Sequence, residues 1–339
     1  MNLLFTGDVM AHQKQINAAK TAGGYSFEPC FEFVKPYFAA ADVTVANLEV
    51  TLAGEPYSGY PTFSAPDALA TALQQAGVEV LLTANNHSCD KGRRGVERTI
   101  GVLDSLRITH TGTFYDSVHR SRVYPLLLKK NNIAIGLLNY TYGTNGIPTP
   151  EPTVVNRIDT VQMAADIAAT KRLSPDIIVV AIHWGEEYKL YPNREQRAVA
   201  DFLLRQDVRL VIGSHPHVLQ GMEMNMSGDS TVQSAVVYSL GNFISNMTAV
   251  NTEIGAMVRI RLVKNHETTR IDNGGYVFTW VYKPEEDGLR RFYILPAAVY
   301  AGKPAFFAHE KEYRRMSVSL AAMRKLYQET TTGFIEYIE

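Results

Sequence analysis

The sequence predicts an α/β fold around a largely parallel sheet, and three observations carry that prediction. Continuous apolar, β-branched runs such as Ile177-Ile-Val-Val-Ala-Ile182 suit strands buried on both faces. Helically spaced apolar residues separate several of these runs, as in Val96, Ile100, Leu103 and Leu106. Asp, Glu, Asn and His residues then collect just past the strand ends, the edge where α/β sheets bind ligands.

The elements follow in order. Leu3–Thr6 is a strand leading to Gly7-Asp8-Val-Met10. Residues 26–41 read as one helix with Phe27, Phe31, Val34 and Phe38 on a stripe. Val43–Ala46 is a strand that ends at Asn47-Leu-Glu49, and a Gly/Pro/Tyr-rich loop runs from Gly54 to Pro61. Asp67–Ala76 is a helix closed by Gly77, the residue favoured at a helix C-terminus. Val78–Leu82 is a strand that runs into Ala84-Asn85-Asn86-His87-Ser-Cys-Asp90, where Asp90 is placed to cap the following helix.

Val123–Leu128 and Ile133–Leu138 read as a strand pair joined at Lys130-Asn-Asn132. The irregular stretch from Tyr140 to Pro152 has the length of a functional loop. A helix over Val161–Arg172 precedes the strand ending at His183-Trp-Gly-Glu186-Glu187. A helix over Glu195–Gln206 precedes Val208–Ile212, which breaks at Gly213-Ser-His215-Pro-His217. Val236–Tyr238 ends at Ser239-Leu-Gly-Asn242. Beyond residue 254 the pattern changes to alternating, antiparallel-type strands at 256–263, 276–282 and 291–295, then a helix over Glu310–Tyr327.

Composition narrows the function. Of 339 residues 46% are hydrophobic and 20% charged, with 33 Lys+Arg against 34 Asp+Glu. Such a balance speaks against bulk nucleic-acid binding. Two cysteines, Cys30 and Cys89, form no CxxC pair, so no cysteine zinc site or disulfide framework follows. The longest apolar runs are strand-length, and the N-terminus reads directly as a strand, so the expected location is cytoplasmic. Carboxylates and imidazoles gathered at one sheet edge suit Mn, Fe or Zn better than Ca or Mg.

The series G-D-V-M, N-L-E, A-N-N-H-x-x-D-x-G, H-W-G-E-E-Y, G-S-H-P-H-V-L-Q and S-L-G-N-F resembles the CapA capsule-synthesis family, also called the poly-γ-glutamate synthesis family. The resemblance runs from about Asn2 to about Val263, and the family is similar to the calcineurin-like metallophosphoesterases. It implies a four-layer αββα sandwich over residues 1–263, a C-terminal strand-and-helix extension over 264–339, and one or two divalent ions. The ligand set it implies is Asp8, Glu49, Asn86, His183, His215 and His217, with His183, His215 and Asn86 on one ion and Asp8 and His217 on the other. His87 matches the histidine that faces the scissile phosphate, and Asp90 would orient it or cap its helix. The superfamily's D-x-H motif has Met10 at its histidine position here, with His12 nearby.

Asn47, Asn85, Arg93, Arg94, Glu186 and Asn242 are the candidate substrate contacts. Basic residues in a helix's first turn oppose its macrodipole, so Arg93 and Arg94 point to an anion. The implied activity is metal-dependent hydrolysis of a phosphoester. The alternative is a biogenesis protein that binds or cleaves an anionic polymer. The expected partners are an anionic small molecule or polymer and capsule-synthesis membrane proteins, not nucleic acid.

Overall fold

A computed structural model describes every residue except 229, 230, 267, 287 and 339. Among the described residues fifteen strands form one hydrogen-bonded sheet: β1 (Asn2–Val9), β2 (Val43–Leu48), β3 (Val80–Leu82), β4 (Thr109–Thr111), β5 (Leu126–Lys130), β6 (Ile133–Thr141), β7 (Ile177–His183), β8 (Leu210–Ser214), β9 (Leu219–Met226), β10 (Val232–Leu240), β11 (Asn242–Ile244), β12 (Ile254–Asn265), β13 (Thr268–Tyr282), β14 (Tyr293–Pro296) and β15 (Ile335–Glu336). The order is β4-β3-β2-β1-β12-β13-β10-β8-β7-β6-β5, with β9 on β10, β11 on β1, and β14 and β15 on β13. The two halves meet where β10 touches β13 at the Val232–Ile271 pair.

Period-two alternation turns this path into two stacked leaves. Leu3, Phe5, Val43 and Val45 of the first half share one core with Val179, Ala181, Ile212 and Val237 of the second. The intervening residues face outward to separate cores. Leu4, Leu48 and Leu81 pack with Phe27, Phe31 and Leu73, while Val180, Ile182 and Val211 pack with Met163, Ile167 and Leu203. Successive strand side chains point to opposite faces, so each leaf buries both of them. The outcome is the helix–sheet–sheet–helix stack expected from the sequence.

The principal helices are α1 (Ala68–Ala76), α2 (Gly92–Ser105), α3 (Thr160–Arg172), α4 (Arg194–Arg205) and α5 (Glu310–Thr330). Gly77 closes α1 with φ 113°, as its sequence position predicted. The expected boundary at residue 263 falls inside β12, and β12 pairs antiparallel with β13 along its length. Met316, Leu320 and Met323 of α5 enter the inter-leaf core.

Three local expectations differ from the structure. The helix read over 26–41 is a 3-10 turn, Glu28–Phe31, followed by a short helix, Lys35–Ala39. Each begins with a proline, Pro29 or Pro36, which favours a first turn and disrupts an interior. The strand placed from Val123 starts at Leu126, because Ser117–Val123 is a helix capped by the Asp116 side chain. Strand β9 was not foreseen: its Gly221, Glu223 and Asn225 have poor strand propensity, and pairing to β10 overrides it.

Gly213 marks a close crossing beneath the candidate site. A Cβ there would collide with the Tyr238 carbonyl oxygen and the Trp184 indole nitrogen. Gly213→Ala is expected to destabilise the protein by about 1–3 kcal/mol or more through overpacking. The check is a lower denaturant midpoint at unchanged m-value; an unaltered midpoint would refute the crossing's importance.

Candidate metal centre

The polar strand ends meet because register forces them to. Asp8 of β1 is paired with Asn47 of β2 on one side and with Asn242 of β11 on the other. In the second leaf His183 of β7 lies opposite Ser214 of β8, and His215 and His217 follow within three residues. Several polar contacts tie the leaves together at this point, among them the His215 backbone N–H, which donates to Asp8 Oδ2 at 3.2 Å. All of these side chains are buried, Asp8 and Glu49 completely.

Two three-residue groups have ligand atoms close enough to share an ion: Asp8, Glu49 and His183, and Glu49, His215 and His217. Glu49 belongs to both, the position of a bridging acid. This grouping differs from the pairing expected from the motifs, which put His215 with His183 and His217 with Asp8. The expected neighbours nonetheless lie close. His183 Nε2 is 3.1 Å from His215 Nδ1 and 2.9 Å from Asn86 Oδ1, and His217 Nδ1 is 3.4 Å from Asp8 Oδ2.

Surrounding groups orient the rings. Asn242 Oδ1 lies 3.0 Å from His217 Nδ1, which leaves Nε2 toward Glu49 Oε1 at 3.7 Å. Ser214 Oγ is 3.1 Å from His183 Nδ1, and Nε2 then faces Glu49 Oε1 at 3.5 Å. Asn47 Nδ2 donates to Asp8 Oδ1 at 2.8 Å. Partners on the far nitrogen fix tautomer and direction in this way at metal-binding histidines. His215 and His217 also hold positive φ, 100° and 59°, a strained conformation for residues other than glycine.

The electrostatics call for a cation. Both Glu49 oxygens are buried without a hydrogen-bond partner, and so is Asn86 Nδ2. Among the described residues no Lys or Arg pairs with Asp8 or Glu49. Burial, reinforced by the Asp8 charge, pushes the Glu49 carboxyl well above its usual range. Burial likewise holds His183 well below its usual value and His215 down to about 3, with neighbouring imidazoles adding to both shifts. Imidazoles held below their usual pKa beside two buried carboxylates that no Lys or Arg pairs with are a divalent-ion donor set, so the residues fit such an ion.

His87 stands beside this cluster. Its Nδ1 lies 2.7 Å from Asp90 Oδ2, and its ring meets Phe63 edge-on at 4.7 Å. Asp90 does not cap α2, contrary to the expectation; the N-cap is Lys91, without a side-chain cap bond. Asp90 Oδ2 is committed to His87 and to the Phe63 backbone N–H at 2.6 Å, a tertiary demand that outweighs local capping. Asn85 is equally structural: its Nδ2 donates to the Leu48 carbonyl at 2.8 Å and its Oδ1 accepts from His87 N–H at 3.1 Å.

Other sequence candidates lie outside the cluster. Arg93 and Arg94 are exposed on α2, and Arg93 pairs with Glu97 at 2.7 Å. Glu186 is exposed and accepts from Asn193 Nδ2 at 3.3 Å. Met10 is buried in the outer core of the first leaf. Two further residues line the cluster, Phe63 without a sequence signal and Tyr142 from the loop over residues 140–152 that the sequence marked as functional in length. Phe63 packs against both His87 and His12, and Tyr142 places its ring 4.5 Å from that of His215.

His12 joins the site's surroundings without joining either three-residue group. Burial holds it down from 6.5 to about 4, and the Gln15 side chain partly offsets this. The folded state therefore binds fewer protons than the unfolded chain, and His12's share of stability is lost as pH falls from 6.5 toward 4. In metal-free protein, His12→Asn is expected to flatten the loss of stability over that window. Denaturant midpoints measured across it supply the check; parallel pH profiles would contradict the burial argument.

The comparisons agree with this architecture. The chain is 27% identical over 281 residues to Capsule biosynthesis protein CapA of Bacillus anthracis, covering 78% of this chain and 64% of the relative. It is 28% identical over 279 residues to PGA biosynthesis protein CapA of Bacillus subtilis (strain 168), covering 79% and 70%. The match to the first thus spans less than two-thirds of that protein's length. Among solved structures, the calcineurin-like phosphoesterase YfkN from Bacillus subtilis has a TM-score of 0.51 at 13% identity, covering 82% of this chain and 90% of that one. The NAD nucleotidase of Haemophilus influenzae has a TM-score of 0.51 at 11% identity, covering 100% and 64%. These two show that the fold is that of calcineurin-like phosphoesterases. The sequence profile described as bacterial capsule synthesis protein PGA_cap matches residues 2–247, nearly all of the two-leaf body that carries the cluster, and the chain belongs to that family.

Proposed function

We propose that the protein is a metal-dependent hydrolase acting on a phosphoester. The observation that supports this most is Glu49: a fully buried carboxylate, both oxygens unpartnered, within reach of Asp8 and three imidazoles. Asp8, Glu49 and His183 would hold one divalent ion and Glu49, His215 and His217 a second, with Asn86 Oδ1 beside His183. Such ions, when bound, supply Lewis acidity and a water of lowered pKa.

The chain's own groups do the rest. Asn47, Ser214 and Asn242 orient the ligands. Asp90 accepts at His87 Nδ1, which leaves Nε2 as the ring position able to hand a proton to a leaving oxygen. Phe63 braces the same ring against rotation.

A second reading draws on the relatives' descriptions in capsule and PGA biosynthesis. In it the same centre binds or cleaves an anionic surface polymer, next to capsule-synthesis membrane proteins. No helix among the described residues is long and apolar enough to cross a membrane, so attachment would come through such a partner or through another segment.

Two experiments test the assignment. Glu49→Gln is expected to weaken Mn²⁺ binding by about 100-fold, at least the loss seen when a metal site's outer partner is removed. It should not destabilise metal-free protein, since it relieves a buried carboxylate. Calorimetric titration and denaturation read the two effects; undiminished Mn²⁺ affinity would remove Glu49 from the centre. His87→Ala is expected to retain Mn²⁺ yet lower turnover of an activated phosphoester by roughly 10²–10⁴-fold. Unchanged turnover would exclude the proton-donor role.

A further inference from the structure

The end of β6 carries a cation that none of the roles above uses. After Thr141 the chain turns through Tyr142, Gly143 and Thr144, and Arg157 returns beside Thr141 as a parallel bridge. Thr141 N–H donates to the Asn156 carbonyl at 3.0 Å, and Ile158 N–H donates to the Thr141 carbonyl at 2.9 Å. Thr141 is also in register with His183 on its other side. The edge therefore reads Arg157, Thr141, His183, Ser214. Arg157 stands two strand spacings, roughly 10 Å, from the ligand histidine.

Its side chain is exposed and incompletely used. Nη2 donates to the Tyr142 carbonyl at 3.2 Å and Nη1 to Thr144 Oγ1 at 3.4 Å. A guanidinium has five N–H donors, so most remain for another acceptor. Arg93, Arg98, Arg120 and Arg197 each pair with a carboxylate. Arg157 has no such partner among the described residues, and the residue it grips is Tyr142, whose ring lies over His215. Tyr142 is 42% exposed, and its ring lies beside His215 while its carbonyl accepts from Arg157, so it forms a wall between the cluster and the guanidinium that a ligand can touch.

We propose that Arg157, with Tyr142 as its wall, anchors a second anionic group of a substrate whose first is held at the Asp8–Glu49–histidine cluster. This rests on the hydrolase assignment and sharpens it. The preferred substrate carries at least two anionic groups on one chain, so a single small phosphomonoester is a poor one. Phosphate and carboxylate satisfy a guanidinium alike through bidentate bonds. The chemistry named is therefore a repeating anion, and the probes distinguish the two sources.

The test compares wild type, Arg157→Gln and Arg157→Lys with Mn²⁺ present, binding orthophosphate, inorganic triphosphate or a glutamate trimer. Arg157→Gln is expected to weaken at least one oligomer by about tenfold, as losing a charge-assisted hydrogen bond would. Orthophosphate should stay within about twofold, and Arg157→Lys should recover part of the loss because charge remains. Whichever oligomer responds identifies the anion. Equal losses for orthophosphate and the oligomers would mean that Arg157 only shapes the Tyr142 turn, and would overturn the proposal. So would unchanged oligomer binding, or no oligomer binding by wild type. Mn²⁺ uptake is measured on the same samples: its absence sinks the hydrolase assignment, while the oligomer comparison still decides the role of Arg157.

Discussion

The buried carboxylate pair of Asp8 and Glu49 sets the terms for the rest of the molecule. An ionised carboxylate without a counter-charge in the interior costs several kcal/mol, even after relaxation. Here one of the pair lacks even a hydrogen bond. Three imidazoles and an amide oxygen surround the same point, and burial lowers the pKa of two of the three, His183 and His215. No Lys or Arg among the described residues pairs with either carboxylate, and the donor set around them suits a divalent cation. The strained backbone at His215 and His217 fits that reading, since strain persists where surrounding structure over-determines it.

That point lies where the two leaves come together. Asp8 and Asn47 come from one leaf, His183 and Ser214 from the other, and the His215 N–H to Asp8 bond spans them. Between the leaves in strand order runs the β12–β13 hairpin. The C-terminal residues therefore do more than decorate the body: β13 links the halves whose alignment places the ligands, and α5 fills their common core. A disturbance of this hairpin would reach the centre through leaf alignment, with no ligand changed.

Around the ligands sits a layer that directs rather than binds. Asn242 and Ser214 set imidazole orientation, Asp90 sets that of His87, and Phe63 restrains His87 and His12 together. The opening is walled by Tyr142 and flanked by Tyr188, whose ring is 6.3 Å from that of His217. The fold shared with a calcineurin-like phosphoesterase does not by itself specify function.

Much of this was legible in the sequence. Apolar runs located nearly every parallel strand, and the residues just past their ends supplied Asp8, Glu49, Asn86, His183, His215 and His217 before any contact was known. Local periodicity and a shared strand polarity suffice for that. Pairing across leaves was not legible. The ligand grouping through Glu49 and the placing of Phe63 beside His87 depend on residues far apart in sequence, while the diversion of Asp90 to His87 and strand β9 depend on tertiary demands that override local propensity. Sequence by itself determined which groups reach the sheet edge, because strand length and polarity are local properties. Tertiary structure decided which of them come within reach of one another and which neighbours orient them, because register and leaf stacking set distances that no local pattern encodes.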